Sequence, residues 1–201
     1  MEKILDIDIR HKMKSSILKD FIIDDQSRIV EEFALCYVDA RIDIAVINGS
    51  LYGYEIKSES DDLRRLPSQM MAYLKIFDYL TVVTSENHIN EVFITSPGQC
   101  GIVLVKRDDT SKQINLTEIR PPLKNEFIEK QALIQLLWKD ELLDVLSNYQ
   151  IRGYKSKSKP LLWDIISDLV PIDEISTIVR EKIKARSNWR VDVSPFQNDD
   201  C

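Results

Sequence analysis

Asp43, Glu55 and Lys57 are the residues of this sequence whose types and spacing best suit chemistry. All three fall within residues 40–58, where two apolar, β-prone runs flank Asn48-Gly49, a hairpin turn signal. Side chains two apart in a strand share a face, so Glu55 and Lys57 point one way and Tyr54, Ile56 and Ser58 the other. Register decides whether Asp43 joins them. A two-residue Asn48-Gly49 loop sets Asp43 opposite Tyr54, looking away from Glu55. A three-residue Asn48-Gly49-Ser50 loop sets it opposite Glu55, and an Ile47-Asn48-Gly49 loop with Gly49 left-handed sets it diagonal to Glu55. A shared site therefore requires an odd loop or a bulge.

Two hard carboxylates in that arrangement suit Mg²⁺ or Mn²⁺, which retain waters and bind phosphate. A lysine beside them would position a nucleophile or stabilise charge developing on a phosphodiester. Glu-x-Lys is also a common solvated pair on strands. Context favours chemistry, because Asp43 interrupts an apolar run where a lone carboxylate is costly without a partner.

At these residues the sequence resembles the PD-(D/E)XK nuclease superfamily, and within it the sce7726 family. Asp43 stands as the first acid and Glu55-Ile56-Lys57 as the (D/E)-x-K element, with Ile42 where the motif's proline would be. Further stretches carry the likeness: Val30-Glu31-Glu32-Phe33, Arg65-Leu66-Pro67-Ser68-Gln69, Phe77-Asp78 and Leu137-Trp138-Lys139-Asp140-Glu141. The resemblance implies an α/β, restriction-endonuclease-like fold: a mixed-sheet core of order αβββαβ flanked by helices. It implies Mg²⁺, replaceable by Mn²⁺, on Asp43, Glu55 and the backbone carbonyl of Ile56, with Lys57 catalytic. An upstream third acid often completes such sites, and Glu32, which shares a strand face with Ala34 and Cys36, is preferred over Glu31. Gln69, four residues before Tyr73 on one helix face, would orient water or phosphate. The implied activity is hydrolysis of phosphodiester bonds, in DNA foremost. The alternative is a non-cleaving DNA-binding or adaptor module that kept the fold.

The elements that must position these residues follow in order. Residues 6–21 read as an amphipathic helix, with Ile9, Met13, Ile17 and Phe21 spaced by four and a basic, solvated face holding Arg10, Lys12, Lys14 and Lys19. Residues 29–38 read as a strand, 63–77 as a helix with Pro67 in its first turn, and 79–84 as a strand reached by a crossover. Residues 86–93 read as a short helix, and 101–106 and 113–119 as strands. Pro121-Pro122 then ends a core of residues 1–122. Residues 123–190 read as a helical C-terminal module, with helices at 125–149, 163–169 and 173–186, and residues 191–201 as an acidic tail.

Charge distribution bears on partners. The net charge of −6 divides into 15 basic and 20 acidic side chains in residues 1–123, 12 and 10 in residues 124–190, and three acids beyond, so any footprint for DNA is local. Arg41, Arg64, Arg65 and Tyr73 are placed to contact nucleic acid near the hairpin and the helix that follows. Arg152, Lys155, Lys157 and Lys159 form a run with no acid between two helices, loosely resembling a SAP or helix-extended-loop-helix unit. The acidic total speaks mildly for the binding alternative.

The remaining inventory is exclusionary. His11 and His88 have no partners at ligand or triad spacing, and neither a Gly-x-Gly-x-x-Gly nor a Walker loop occurs, so no nucleotide cofactor is expected. Cys36, Cys100 and Cys201 suggest neither disulfides nor zinc, and Cys36 and Cys100 read as small strand residues. No apolar run reaches a membrane span and the start is no signal peptide, so a cytoplasmic protein is expected. A homodimer is compatible with the sequence.

Overall fold

A computed structural model describes residues 3–35 and 40–186. Its frame is one six-stranded mixed sheet in the order β1-β2-β3-β4-β5-β6. β1 (Arg28–Leu35), β2 (Ala40–Ile47) and β3 (Leu51–Lys57) form an antiparallel meander. β4 (Tyr79–Ser85) and β5 (Gly101–Arg107) continue it in parallel, and β6 (Ile114–Arg120) returns antiparallel to β5. Parallel neighbours need crossovers. Here these carry α3 (Leu66–Tyr73) and α4 (Ile89–Thr95), as the alternation of patterns in the sequence requires.

The two sheet faces are covered differently. α1 (Asp6–Lys14) lays Ile9 and Met13 on one face, where they meet Ile44, Val46, Tyr54, Ile56, Val83 and Val105. The other face packs Phe33, Ile42, Ala45 and Leu51 against Tyr73 and Phe77, and the same core runs on into Leu133, Leu146, Ile166 and Ile183. The C-terminal helices α5 (Lys130–Ile134), α6 (Lys139–Asn148), α7 (Lys159–Leu169) and α8 (Ile172–Ala185) thus share one core with the sheet. Gly53 on β3 leaves no room for a side chain. A Cβ there would lie 2.6 Å from Ile42 Cδ1 and 2.9 Å from the Phe77 ring.

Several expected elements are shorter than their periodicity suggested. The helix expected over residues 6–21 breaks after Lys14 and resumes as α2 (Lys19–Ile23). The Ser15 and Ser16 hydroxyls both donate to the Lys12 carbonyl, at 3.0 and 2.7 Å, competing for a group that would otherwise continue the helix. The long helix expected over residues 125–149 is two, α5 and α6, and does not begin until Lys130. Buried Asn125 holds the preceding chain by donating to the carbonyls of Leu74 at 2.5 Å and Phe77 at 3.0 Å. Cys100 is buried just before β5 rather than within a strand. The expected strand end at 36–38, Cys36 and the acidic tail lie outside the described residues.

Candidate functional site

The hairpin loop is the three-residue Asn48-Gly49-Ser50, closed by the Asn48 N–H donating to the Ser50 carbonyl at 3.0 Å. Its register pairs Ile47 with Leu51 and Ile44 with Tyr54, and one further step sets Asp43 opposite Glu55. The odd loop needed for a shared site is therefore present. Beyond Ile44 the ladder gives way to a side chain, for the Ile56 N–H donates to Asp43 Oδ2 at 2.6 Å. Ile56 meets Asp43 through its amide, not through the carbonyl expected to hold metal.

The neighbouring strand is broken at the same level. Glu32 has φ +53°, a left-handed conformation that costs a non-glycine residue about 1–2 kcal/mol. Pairing runs Glu31 with Ile44 and Phe33 with Ile42, leaving Glu32 and Asp43 outside the ladder. The break shows in the side chains. Val30 and Phe33, three apart, face one core layer, as do Ile42 and Ala45, where unbroken strands would alternate.

Arg10 fills the gap. From α1 its guanidinium donates through Nη2 to Glu32 Oε1 at 2.7 Å and Asp43 Oδ1 at 2.9 Å. Nη1 donates to the Asp43 carbonyl at 2.9 Å, and Nε to Asp6 Oδ1 at 2.5 Å. Glu31 turns to Lys14, 2.5 Å away, so Glu32 rather than Glu31 adjoins Asp43. Arg10 was expected on a solvated face and is instead buried.

On the α3 side, Glu55 is 2 % exposed and Lys57 7 %. Lys57 Nζ donates to Glu55 Oε1 at 2.8 Å and to Gln69 Oε1 at 3.2 Å. Gln69 Nε2 donates to the Tyr73 hydroxyl at 3.2 Å, which donates to the Arg41 carbonyl at 2.7 Å. Glu55 Oε2 is buried with no hydrogen-bond partner. Burial and the nearby Glu55 charge push the Asp43 carboxyl up to about 7, against the pull of the Ile56 amide and Arg10. Burial also raises Glu55, opposed by Lys57.

The structure thus gathers Asp43, Glu55, Lys57, Glu32 and Gln69. Tyr73 joins as a fully buried ring rather than the exposed nucleic-acid contact expected of it. Arg41 lends the cluster its carbonyl and stands 4.0 Å from Glu32. Arg64 pairs with Asp62 on the exposed start of α3, beside exposed Arg65. Arg152 and Lys155 are exposed and Lys157 half-buried on the α6–α7 loop, while the Lys159 ammonium lies 5.9 Å from the Trp163 ring centre. Among the described residues, no group of three or more His, Cys, Asp or Glu is placed to hold a metal ion. Each Asp43 oxygen accepts one hydrogen bond, Oδ1 from Arg10 and Oδ2 from the Ile56 amide.

Fold and site define a mixed α/β protein in which Arg10 pairs with half-buried Glu32 and Asp43, and Lys57 with buried Glu55. Residues 7–193 match the model of the family described as Bacteriophage P4 protein cII, and the chain belongs to that family. Protein cII of Enterobacteria phage P4 is 27% identical over 158 residues, which are 79% of this chain and 59% of that relative. The chain therefore spans about three fifths of the relative's length. No solved structure matches. The family match overturns the assignment to the PD-(D/E)XK superfamily and the sce7726 family, and with it the expectation of a phosphodiester hydrolase. Among the described residues no helix is long and apolar enough to cross a membrane.

Proposed function

We propose that this chain is a DNA-binding or adaptor module on a restriction-endonuclease-like core, acting in the cytoplasm without cutting its target. In this reading Arg10, Lys57 and their acids hold the sheet, and contact with nucleic acid is made elsewhere. The observation that carries it is the α6–α7 loop. Arg152 and Lys155 are exposed and Lys157 half-buried, while Tyr154 between them is buried and anchors the backbone. No acidic side chain occurs from residue 151 to 163. A basic loop pinned at its centre presents its charges to phosphate at lower ordering cost than a free tail.

Mg²⁺ is not required for that contact. Binding to labelled duplex and single-stranded DNA, followed by anisotropy across a salt series, is expected in EDTA as in Mg²⁺. Replacing Arg152, Lys155 and Lys157 by Gln lowers the slope of log affinity against log salt by about one per lost phosphate contact, with the melting temperature unchanged. An unaltered slope in the triple variant, or strand cleavage in Mg²⁺, would sink this reading.

A further inference from the structure

The α1-covered sheet face is not fully covered. Between the end of α1 and β6 lies a cleft of about 280 Å³, walled by Ile17, Val103, Leu116 and Pro122 and floored by Tyr54 and Thr81. Tyr54 is 7 % exposed and Thr81 5 %. Neither hydroxyl has a hydrogen-bond partner within the protein, and neither is sealed from solvent, so both open into the cleft. Buried polar groups are ordinarily paired, and two such hydroxyls over one apolar floor mark a place where something else supplies the partner. Glu118 stands exposed on the rim. Thr81 faces Gly101 across β4 and β5, and the missing side chain there leaves the Thr81 hydroxyl uncovered from that strand.

An aromatic group lies on the same sheet face. Two residues earlier on the same strands and face, Tyr52 and Tyr79 stack at 5.0 Å with ring planes 13° apart, and Phe21 lies 5.3 Å from Tyr52. All three are partly exposed.

We propose that this cleft binds a nucleobase bearing an exocyclic amine. The apolar walls suit a flat heterocycle and disfavour an ion. The two hydroxyls can donate to its acceptor ring nitrogens, and to the carbonyl of a base that has one, and the Glu118 carboxylate accepts an amino hydrogen. Thymine and uracil lack that amine. The volume holds one ring system rather than a whole drug-sized ligand. The base belongs either to a free nucleoside or to an unpaired nucleotide in a strand, and in the second case its neighbour stacks on Tyr52 and Tyr79. The cleft shares no residue with the α6–α7 loop, so the two sites fail or stand separately.

The test is a ¹H–¹⁵N titration of the whole chain with adenosine, cytidine, thymidine, and oligomers of dA and dC. Adenosine or cytidine is expected to move the amides of Thr81, Gly101 and Val103, with thymidine at least fivefold weaker. Shifts with oligomers and not with nucleosides assign the base to a strand, and shifts with both admit the free nucleoside. Tyr54→Phe and Thr81→Val remove unpaired hydroxyls without changing shape and each weakens binding roughly tenfold or less. Leu116→Trp, on the half-buried outer wall, blocks it. Glu118→Ala abolishes the preference over thymidine. The proposal is overturned if no cleft amide moves with any probe, or if Tyr54→Phe, Thr81→Val and Leu116→Trp all bind as the parent does. DNA binding through the loop is read separately from the salt slope.

Discussion

Arg10 grips Asp43 at two points, the carboxylate oxygen Oδ1 and the main-chain carbonyl, each at 2.9 Å. One guanidinium thereby joins α1 to the level of β2 where the ladder to β1 is interrupted. Its fork of donors in a plane is what makes this possible, because a lysine ammonium could not reach the Asp6, Glu32 and Asp43 oxygens together.

Arg10→Met should therefore destabilise the fold by about 1–3 kcal/mol, less than for a fully buried pair because Asp6 and Glu32 keep solvent access and Asp43 can take up a proton. Arg10→Lys should recover only part of it. Chemical denaturation gives the answer directly. A midpoint within a few tenths of a molar of the parent would mean that the cluster contributes little to holding α1 on the sheet.

The same cluster sets a pH dependence. Asp43 titrates near 7 in the folded protein, well above its ordinary value of 3.8, because burial and the Glu55 charge disfavour ionisation. The folded state binds the proton more tightly than the unfolded chain does. That contribution is complete below pH about 4 and is lost as pH rises through about 7. Asp43→Asn keeps an uncharged acceptor for the Ile56 amide and removes the titration. Unfolding free energy measured from pH 4 to 8 should slope downward more steeply in the parent than in the variant. Parallel curves would show that Asp43 does not hold the proton.

Glu55 and Lys57 are buried together and should behave as one unit. Lys57→Met alone leaves a nearly inaccessible carboxylate with neither its ammonium partner nor, at Oε2, any other, so a loss of about 3–5 kcal/mol is expected. Glu55→Gln combined with Lys57→Met should cost much less than the two single changes added together. Melting temperatures of the three variants test this. Additive effects would mean that the pair does not interact across its 2.8 Å contact.

Much of the frame was legible because strand alternation and turn chemistry are local. The Asn48-Gly49 turn was legible, but not which of three loops it opens. The Asn48-Gly49-Ser50 loop that sets Asp43 opposite Glu55 was one alternative among them, while the strand–helix–strand order followed from the patterns around Pro67 and residues 86–93. The acids and Lys57 do meet, but spacing on a hairpin reports proximity and not purpose. Arg10 is the telling miss. It sits next to Ile9 and four residues after Asp6, so one-dimensional periodicity places it on the polar side. The signal that could have found it was Asp43 itself, a carboxylate in an apolar strand that needs a cation from some element packed on it. The break at Glu32 had no signal, since its left-handed φ arises from tertiary contacts rather than from a glycine or asparagine. Helix lengths were overestimated where polar side chains took up backbone groups, locally as Ser15 and Ser16 do at Lys12 or across the fold as Asn125 does.

Asn125 gives the last expectation. Its amide nitrogen bonds the carbonyls of Leu74 and Phe77, its oxygen accepts the Phe127 N–H at 3.0 Å, and its own N–H reaches the Asp78 carbonyl at 2.8 Å. One buried side chain thereby ties the segment after β6 to the end of α3 and the start of β4. Asn125→Ala removes three side-chain bonds and leaves buried carbonyls without donors, so a loss of about 2–4 kcal/mol is expected. Asn125→Asp should be worse at neutral pH, because a carboxylate faces two carbonyl oxygens. The Asp variant should recover as pH falls through a range above the ordinary carboxylate value, because burial and the facing carbonyls favour the protonated form, which is a donor. If instead Asn125→Ala melts with the parent, the C-terminal helices are held on the sheet by their apolar contacts alone, through Leu133, Leu146, Ile166 and Ile183.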